Sequence, residues 1–213
     1  MVFLGSDIQF PPVETADEDG LLAIGGDLSI KRLLLAYTSG IFPWYNEDEP
    51  VMWWSPDPRF VLLPKNLKIS NSMHTVLQNG KFRFTINRAF QQVIQNCKTI
   101  SRKNQEGTWI SPAIQNAYMQ LHQLGHAHSA EAWMNGELVG GLYGIRMGNL
   151  FFGESMFNKE SNASKFAFIK YVQQLKKEDV SLIDCQVYTQ HLESLGAAMI
   201  TREKFMRLLG QNL

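Results

Sequence analysis

The spacing of apolar positions predicts a series of amphipathic helices. Ser29 precedes an apolar face formed by Leu33, Leu34 and Tyr37, and Gly40 follows it. A serine N-cap before such a face and a glycine after it are typical of a complete helix. The predicted helices cover residues 29–40, 87–97, 111–125 and about 161–177, with a short helix at 191–197 and a last one at the end of the chain.

Strand-like alternation dominates residues 126–157. Asn135-Gly136 and Gly148-Asn149 interrupt this alternation and predict two hairpin turns. Residues 1–28, in contrast, are predicted to be irregular. The stretch GIFPWYNEDEPVMWWSPDPRF combines aromatic residues with prolines, so it is predicted to be a rigid connection rather than a helix or a regular central strand. Short strands are also predicted at FVLLP, at SLIDCQV and at residues 197–200.

The order of these elements predicts an α+β fold, with helices flanking a mainly antiparallel central sheet. GNAT-type acyltransferases have this layout, and the helix after their hairpins meets a phosphorylated acyl carrier with its N-terminus. Residues 157–168 contain no glycine, so the glycine-rich turn of acetyl-CoA enzymes is missing there. This absence disfavours acetyl-CoA and favours a bulkier acyl carrier.

The predicted strand SLIDCQV contains the main candidate for chemistry. Alternation places Leu182, Asp184 and Gln186 on one face, and Ile183 and Cys185 on the other. A buried carboxylate is unfavourable unless it is paired or hydrogen-bonded. The strand is therefore either an edge that faces water or a functional site, and the pattern leaves both open. Cys185 is interpreted as a packing residue rather than a nucleophile.

Charge is distributed unevenly although the net charge is zero. Residues 1–57 carry ten acids and two bases, whereas residues 58–105 carry nine bases and no acid. Two interpretations remain open: a surface for a nucleic-acid backbone, or bases that pair with the acidic N-terminal part. The candidates for contact with a nucleic-acid backbone in this stretch are Lys65, Lys68, Lys81, Arg83 and Arg88.

Composition and targeting signals indicate a globular, cytoplasmic protein. Hydrophobic residues make up 45% of the 213 residues, which excludes a disordered chain. No apolar run approaches the roughly 18 residues of a membrane span, and the N-terminus lacks the features of a signal peptide. Cys97 and Cys185 are expected to be reduced, because two cysteines do not make a disulfide framework.

Three histidines, His122, His126 and His128, form a HxxxHxH pattern that invites a zinc interpretation. Zinc sites need a third or fourth ligand and supporting hydrogen bonds, and no cysteine is close in the sequence. We therefore predict neither a metal nor a cofactor.

Nine motifs between residues 20 and 200 together resemble the bacterial leucyl/phenylalanyl-tRNA–protein transferase family. In order they are GLLAIGGDLS, GIFPWYN, MWWSPDPRFVL, EGTWIS, LHQLGHAHSAEAW, LVGGLYG, FFGESMF, NASK and LIDCQV. The resemblance implies a small N-terminal domain (residues 1–60) and a GNAT-like catalytic domain (61–213). It implies transfer of leucine or phenylalanine, with methionine a further candidate, from aminoacyl-tRNA to proteins that begin with arginine or lysine. This transfer marks the acceptor for degradation. We expect a monomer with no membrane partner.

The resemblance also implies roles for individual residues. Asp184 and Gln186 are the catalytic pair. A carboxamide is not protonated near neutral pH, so we interpret Gln186 as an acceptor that positions the amine and is oriented by Asp184. Independently of the resemblance, Glu154 is a second candidate for an interior carboxylate, which would hold the aminoacyl ammonium or the cationic side chain of the acceptor; alternatively it caps the end of a strand. The implied pocket for the transferred side chain is Trp109, Leu142, Phe151 and Tyr171, and Trp44 would stack on the terminal adenine.

Two other functions remain as alternatives. One is a GNAT-type N-acetyltransferase that uses acetyl-CoA, and the other is a tRNA-binding module without catalysis. For each aromatic residue named above, a place in the ordinary core is the alternative interpretation. The acid-free stretch does not separate the transferase from the binding module.

Overall fold

The computed structural model describes residues 2–100 and 109–213, which fold into two β-sheets and seven α-helices. Arg102, Lys103 and the first three residues of EGTWIS lie outside them. The N-terminal part contains β1 (Val2–Leu4), β2 (Leu21–Gly25), α1 (Ile30–Thr38), β3 (Phe42–Pro43) and β4 (Met52–Trp54).

These four strands form a small sheet in the order β1-β2-β4-β3. The prediction that residues 1–28 are irregular was therefore wrong, since β1 and β2 lie in this segment. The aromatic stretch also contains strands, and β4 pairs with a neighbour on each side. Strands of two to five residues are too short to show a clear alternation, which explains both errors. Pro50 and Pro56 flank β4 and leave its backbone free to pair.

The rest of the chain builds the larger sheet and its helices. Its elements are β5 (Arg59–Leu62), α2 (Asn71–Gln78), β6 (Arg83–Ile86), α3 (Phe90–Thr99), α4 (Pro112–Gln123), β7 (Ala127–Met134), β8 (Glu137–Met147), β9 (Leu150–Asn158), α5 (Ala163–Lys177), β10 (Leu182–Gln186), α6 (Gln190–Ser194), β11 (Ala198–Ile200) and α7 (Arg202–Asn212). The sequence predicted this order from α3 onwards, and the α+β fold class is confirmed. No helix or strand was predicted at the positions of α2 and β6.

The larger sheet has seven strands in the order β11-β5-β10-β9-β8-β7-β6. Its neighbours are antiparallel except for β9 and β10, because α5 carries the chain across the sheet between these two strands. Helices α3 and α4 cover one face of the sheet, and α2 and α5 cover the other.

Local signals in the sequence account for the ends of the helices. The hydroxyls of Ser29 and Ser111 accept hydrogen bonds from the first turns of α1 and α4. Gly40 and Gly125, after these helices, have positive φ angles. The hairpin predicted at Asn135-Gly136 joins β7 to β8, and a hairpin at Gly148 joins β8 to β9.

Helix α5 begins very close to β8. A Cβ atom on Gly140 would lie 2.6 Å from Cβ of Ala163 and 2.7 Å from its carbonyl carbon, which is closer than real contacts allow. Glycine at this position therefore lets the first turn of α5 lie directly on the sheet, next to β8 and β9.

One hydrophobic core joins the small sheet to the larger one. It contains Leu33 and Trp53 from the N-terminal part, Tyr118 from α4 and Phe205 from α7. The strand β5 begins at Arg59 and already belongs to the larger sheet, next to the predicted domain boundary at residue 60; the division into domains stays a prediction. Among the described helices, none is long and apolar enough to cross a membrane.

Candidate functional site

A cavity of about 760 Å³ opens where β3 faces the ends of β9 and β10. Six of the eight residues that the sequence assigned to catalysis or substrate binding line it: Trp44, Trp109, Leu142, Glu154, Asp184 and Gln186. The remaining two, Phe151 and Tyr171, lie in the core between the sheet and α5, where their rings pack edge to face.

Irregularities on neighbouring strands create the polar end of the cavity. Glu154 is an extra residue in β9 opposite β8, and Cys185 is an extra residue in β10 opposite β5. The parallel pairing of β9 and β10 ends at Phe152 and Asp184. Glu154 and Gln186 therefore lie just beyond the last pair, where the two strands diverge. Bulges of this kind often redirect side chains next to active sites.

Gln186 departs from regular strand geometry, with a φ angle of 63°. Strict alternation therefore ends at this residue. Its backbone N–H donates to Oδ1 of Asp184 at 2.9 Å, and its side-chain Nε2 donates to Oε1 of Glu154 at 3.0 Å. Asp184 thus fixes the backbone of Gln186 rather than its carboxamide. With the nitrogen turned towards Glu154, the carboxamide oxygen is the atom left to accept a hydrogen bond from a bound amine.

Asp184 forms a buried, bidentate ion pair with Arg59. Nε of Arg59 lies 2.9 Å from Oδ1 and Nη2 lies 2.6 Å from Oδ2, and both side chains are 1% exposed. The guanidinium also lies between the rings of Phe42 and Phe205, 4.6 Å from each ring centre. This arrangement satisfies the condition that a buried carboxylate must be paired. It also occupies both oxygens of Asp184.

Glu154 is held by two buried tyrosines. The hydroxyl of Tyr37 lies 2.8 Å from Oε1 and that of Tyr118 lies 3.0 Å from Oε2, and the two hydroxyls also contact each other. Burial, helped by the nearby charge of Asp184, raises the pKa of Glu154 to about 7, against the lowering effect of the hydrogen bonds from the two tyrosines. Burial also raises the pKa of both tyrosines well above the ordinary value, so their hydroxyls stay protonated.

The remainder of the cavity is mainly apolar. Its walls include Leu142, Met156, Phe168, Ile183 and Leu192. Cys185 also lines it, and burial raises the pKa of its thiol far above its ordinary range. Such a thiol is not a ready nucleophile. Among the described residues, neither Cys97 nor Cys185 forms a disulfide bond.

Two tryptophans lie at the cavity and differ in exposure. Trp109 is buried, whereas Trp44 is 43% exposed at the rim. Trp54 supports Trp44 from behind, because its Nε1 donates to the carbonyl of Trp44 at 2.6 Å and the two rings pack at 5.8 Å. The ring of Trp44 is therefore both fixed in place and accessible, so that a planar group is able to stack on it.

The five predicted tRNA contacts are all exposed. The chain between β5 and β6 passes beside α5, so it carries Lys65, Lys68, Lys81 and Arg83 across this side of the molecule; Arg88 follows just before α3. Within residues 2–100 and 109–213, no ion pair joins a base of this segment to an acid of the N-terminal part. Instead Lys81 pairs with Glu160, and Arg59 is buried with Asp184.

The histidines of the HxxxHxH pattern have neighbours of their own. His122 has its Nδ1 2.8 Å from the carbonyl of Ala127 and stacks on Phe90, and His128 contacts Asn87. The part of the chain that the structure describes contains no group of three or more side chains able to hold a metal ion.

Three residues of the site were not identified from the sequence: Arg59, Tyr37 and Tyr118. Arg59 was counted among the bases of the acid-free stretch. Tyr37 was assigned to the apolar face of a helix, and Tyr118 lay within the predicted helix 111–125 without a role. The signal that points to Arg59 is the buried Asp184 itself, which requires a cation. No local pattern singles out the two tyrosines, which come from separate helices and meet through tertiary packing.

Comparison with known proteins gives matches along nearly the whole chain. Residues 61–210 match the family described as leucyl/phenylalanyl-tRNA protein transferase, and residues 26–57 match its N-terminal domain. A leucyl/phenylalanyl-tRNA–protein transferase of Christiangramia forsetii is 57% identical over 98% of this chain and 100% of its own length. That of Flavobacterium johnsoniae is 56% identical over 98% of this chain and 99% of its own length. Among solved structures, a GCN5-related N-acetyltransferase from Kribbella flavida is similar with a TM-score of 0.39 and 9% identity, covering 78% of this chain and 58% of its own.

Proposed function

The chain belongs to the leucyl/phenylalanyl-tRNA protein transferase family. We therefore propose that the transfer of an amino acid from tRNA to a protein acceptor takes place in its cavity. The chain is an aminoacyltransferase, and its substrates are an aminoacyl-tRNA and a protein. The observation that carries the placement at the cavity is its division into a polar end, with Glu154, Asp184 and Gln186, and an apolar remainder.

The reaction is aminolysis of an activated ester, so a covalent enzyme intermediate is not required. The site has to bring the amine to the ester and to stabilise the charge that develops on the carbonyl oxygen. Positioning alone contributes roughly 7–11 kcal/mol in well-oriented systems. Gln186 suits the positioning of the amine, since its backbone is fixed by Asp184 and its carboxamide by Glu154.

The apolar part of the cavity suits the leucyl or phenylalanyl side chain. Leu142 and Trp109 contribute walls, and Met156, Phe168 and Ile183 add to them. Phe151 and Tyr171 support these walls from the core behind. A pocket of flexible and aromatic side chains accepts apolar groups of more than one shape. Trp44 at the rim is the proposed stacking partner for the terminal adenine.

For the acceptor, we propose proteins that begin with arginine or lysine, which the transfer marks for degradation. Both residues carry a cationic side chain in addition to the α-amino group, and Glu154 supplies a carboxyl group at the polar end. The proposed place of action is the cytoplasm.

The exposed bases beside α5 are the proposed contacts for the tRNA backbone. They face solvent, and most are not used in ion pairs among the described residues. Lys165 and Lys170, on α5 itself, add positive charge to this side.

A transfer assay tests the proposed function. The protein is mixed with Leu-tRNA carrying radiolabelled leucine and with a peptide that begins with arginine, and label in the peptide is measured. We expect transfer, and we expect none when the peptide's α-amino group is acetylated. Absence of transfer to the free peptide, together with acetylation of it from acetyl-CoA, would replace the proposal with the acetyltransferase alternative.

A further inference from the structure

The proposed transfer releases a proton that some group must receive. The acceptor's α-amino group has a pKa of about 8, so most of it arrives as an ammonium ion at neutral pH. An ammonium nitrogen has no free electron pair, so it must lose a proton before it can attack the ester. The polar end of the cavity offers three groups close enough to consider: Asp184, Gln186 and Glu154.

Two of the three are poor proton acceptors. Both oxygens of Asp184 are bound by the Arg59 guanidinium, and Oδ1 also accepts from the backbone of Gln186. Protonation of Asp184 would break a buried charge pair and leave Arg59 without its counter-charge. Gln186 is a carboxamide, which does not take a proton near neutral pH.

Glu154 differs, because its hydrogen bonds can accommodate an added proton. The carboxyl group, the Tyr37 hydroxyl and the Tyr118 hydroxyl each contact the other two, which makes three contacts. The two tyrosines supply two protons for them. If Glu154 is ionised, one of the three contacts brings two oxygens together without a proton. If Glu154 is protonated, each contact has one proton, and the ring of three hydrogen bonds is complete.

We propose that Glu154 receives the proton of the acceptor's ammonium group, and that Tyr37 and Tyr118 position the carboxyl group for this transfer. This inference rests on the proposed function. The neutral amine then forms a bond to the carbonyl carbon of the ester, and the bond between that carbon and the ribose oxygen breaks. The second amine proton goes with the ribose oxygen, which leaves as a hydroxyl group. Glu154 afterwards returns its proton to water.

The groups around Glu154 suit this role. Tyr37 faces it from α1, Tyr118 from α4, and Gln186 and the Asp184–Arg59 pair from β10 and β5. Burial raises the pKa of Glu154 to about 7, within about one unit of an α-amino group. A base works best near neutral pH when its pKa is close to that pH, and proton transfer between groups of similar pKa is nearly balanced.

A direct titration of Glu154 provides the first test and does not depend on activity. Protein labelled with ¹³C in the glutamate carboxyl groups is titrated by NMR, and the signal missing from the Glu154→Gln protein is assigned to Glu154. We expect a midpoint near 7. A midpoint near the ordinary value of 4.5 would overturn the inference. The same midpoint is expected to move in Tyr37→Phe, because the lost hydroxyl contacts both the carboxyl group and the Tyr118 hydroxyl.

Kinetics provide the second test. With saturating substrates, kcat is measured from pH 5.5 to 9 for wild type, Glu154→Gln and Tyr37→Phe. We expect Glu154→Gln to lower kcat about 10²–10⁴-fold and to remove the loss of activity below pH 7 that Glu154 causes. In Tyr37→Phe, which keeps the carboxyl group, the pH at which that loss begins should move together with the NMR midpoint. Glu137→Gln, at an exposed glutamate that begins β8, is the matched control and should behave as wild type.

The results separate the inference from the proposed function. If wild-type protein transfers leucine and the pH profile is the same in Glu154→Gln, Glu154 does not receive the proton while the proposed function stands. A profile that does not move in Tyr37→Phe would remove the positioning role of the tyrosine. If the wild-type protein transfers nothing, the proposed function fails, whatever the NMR titration gives.

Discussion

Arg59 is a buried cation whose guanidinium lies between Phe42 and Phe205 and pairs with Asp184. Removing one partner of such a pair leaves the other charge without compensation, whereas replacing both with apolar groups is often tolerated. Asp184 therefore supports the fold of this region as well as the position of Gln186.

For this reason, Asp184→Ala is expected to lower the free energy of unfolding by about 3–5 kcal/mol, in addition to its effect on turnover. Urea denaturation of the purified variants measures this. The double variant Arg59→Leu with Asp184→Leu should recover much of the stability and remain inactive. Equal stability of wild type and Asp184→Ala would mean that the pair contributes little.

Glu154 is expected to make stability depend on pH in a direction that is unusual for an acid. Its pKa in the folded protein is about 7, above the ordinary value of 4.5, so the folded state binds the proton more tightly than the unfolded state. Its contribution to stability is therefore complete below about pH 4.5 and is lost as the pH rises through about 7. The full difference corresponds to roughly 3 kcal/mol.

Glu154→Gln should therefore gain stability over wild type at pH 8 and not at pH 4.5. Urea denaturation at the two pH values measures the difference between the two proteins. A wild-type advantage that stays constant between the two pH values would contradict the raised pKa. A gain in stability together with lost turnover is typical of a residue kept for function.

The residues of the site fall into two groups: those that a local sequence pattern reveals and those that it does not. Asp184 and Gln186 stand out because a carboxylate in an apolar strand breaks a local pattern. Tyr37 and Tyr118 break no pattern, since each occupies a core position of an amphipathic helix and their hydroxyls meet across a separation of 81 residues. A contact of that separation is set by packing, which a local pattern does not encode.

The secondary-structure elements also fall into those that a local pattern predicts and those that it does not. Helices with a cap and a full apolar face, such as α1 and α4, were predicted nearly residue by residue. The strands β1 and β3 have three and two residues, too few for a period, and depend on their neighbours for pairing. The bulges in β9 and β10 were also not visible, although they determine where Glu154 and Gln186 point.

Helix α3 depends on a residue from another element. Its N-cap, Ala89, offers no side-chain acceptor, and the buried carboxylate of Glu131 on β7 accepts from the backbone N–H groups of Arg88 and Ala89. Glu131 also accepts from the hydroxyls of Thr85 and Ser129. A carboxylate at this place interacts favourably with the helix dipole and satisfies donors that would otherwise be buried without partners.

Glu131→Ala is accordingly expected to destabilise the protein by at least about 2 kcal/mol, because several buried donors lose their acceptor. Hydrogen exchange should show the loss of protection concentrated in α3. Glu137→Ala, at the exposed start of β8, is the matched control and should change stability by less than about 0.5 kcal/mol. Unchanged protection of α3 in Glu131→Ala would show that the helix does not need this cap.

At the scale of the whole molecule, positive and negative side chains are concentrated on different parts of the surface. The exposed bases between β5 and β6 lie beside α5, whereas the acids of residues 2–57 belong to the small sheet and its loops. A net charge of zero therefore conceals a side with excess positive charge.

Charge reversal tests whether that side binds tRNA. Lys65→Glu with Lys68→Glu should weaken tRNA binding several-fold and reduce the steepness of its salt dependence, since fewer counterions are released. Filter binding at several salt concentrations measures both quantities. Lys31→Glu with Lys204→Glu changes the net charge equally at other exposed lysines and should have a smaller effect. Equal losses from the two double variants would indicate a response to net charge alone.

Helix α7 has a consequence for the order in which the chain folds during its synthesis. Arg59 leaves the ribosome early, but Asp184 and the Phe205 ring that cover it come from the last part of the described chain. Until those residues emerge, the guanidinium lacks its counter-charge and the second of its two aromatic neighbours, so burying it would be unfavourable. We therefore expect β5 to become buried only after β10 and α7 have been synthesised.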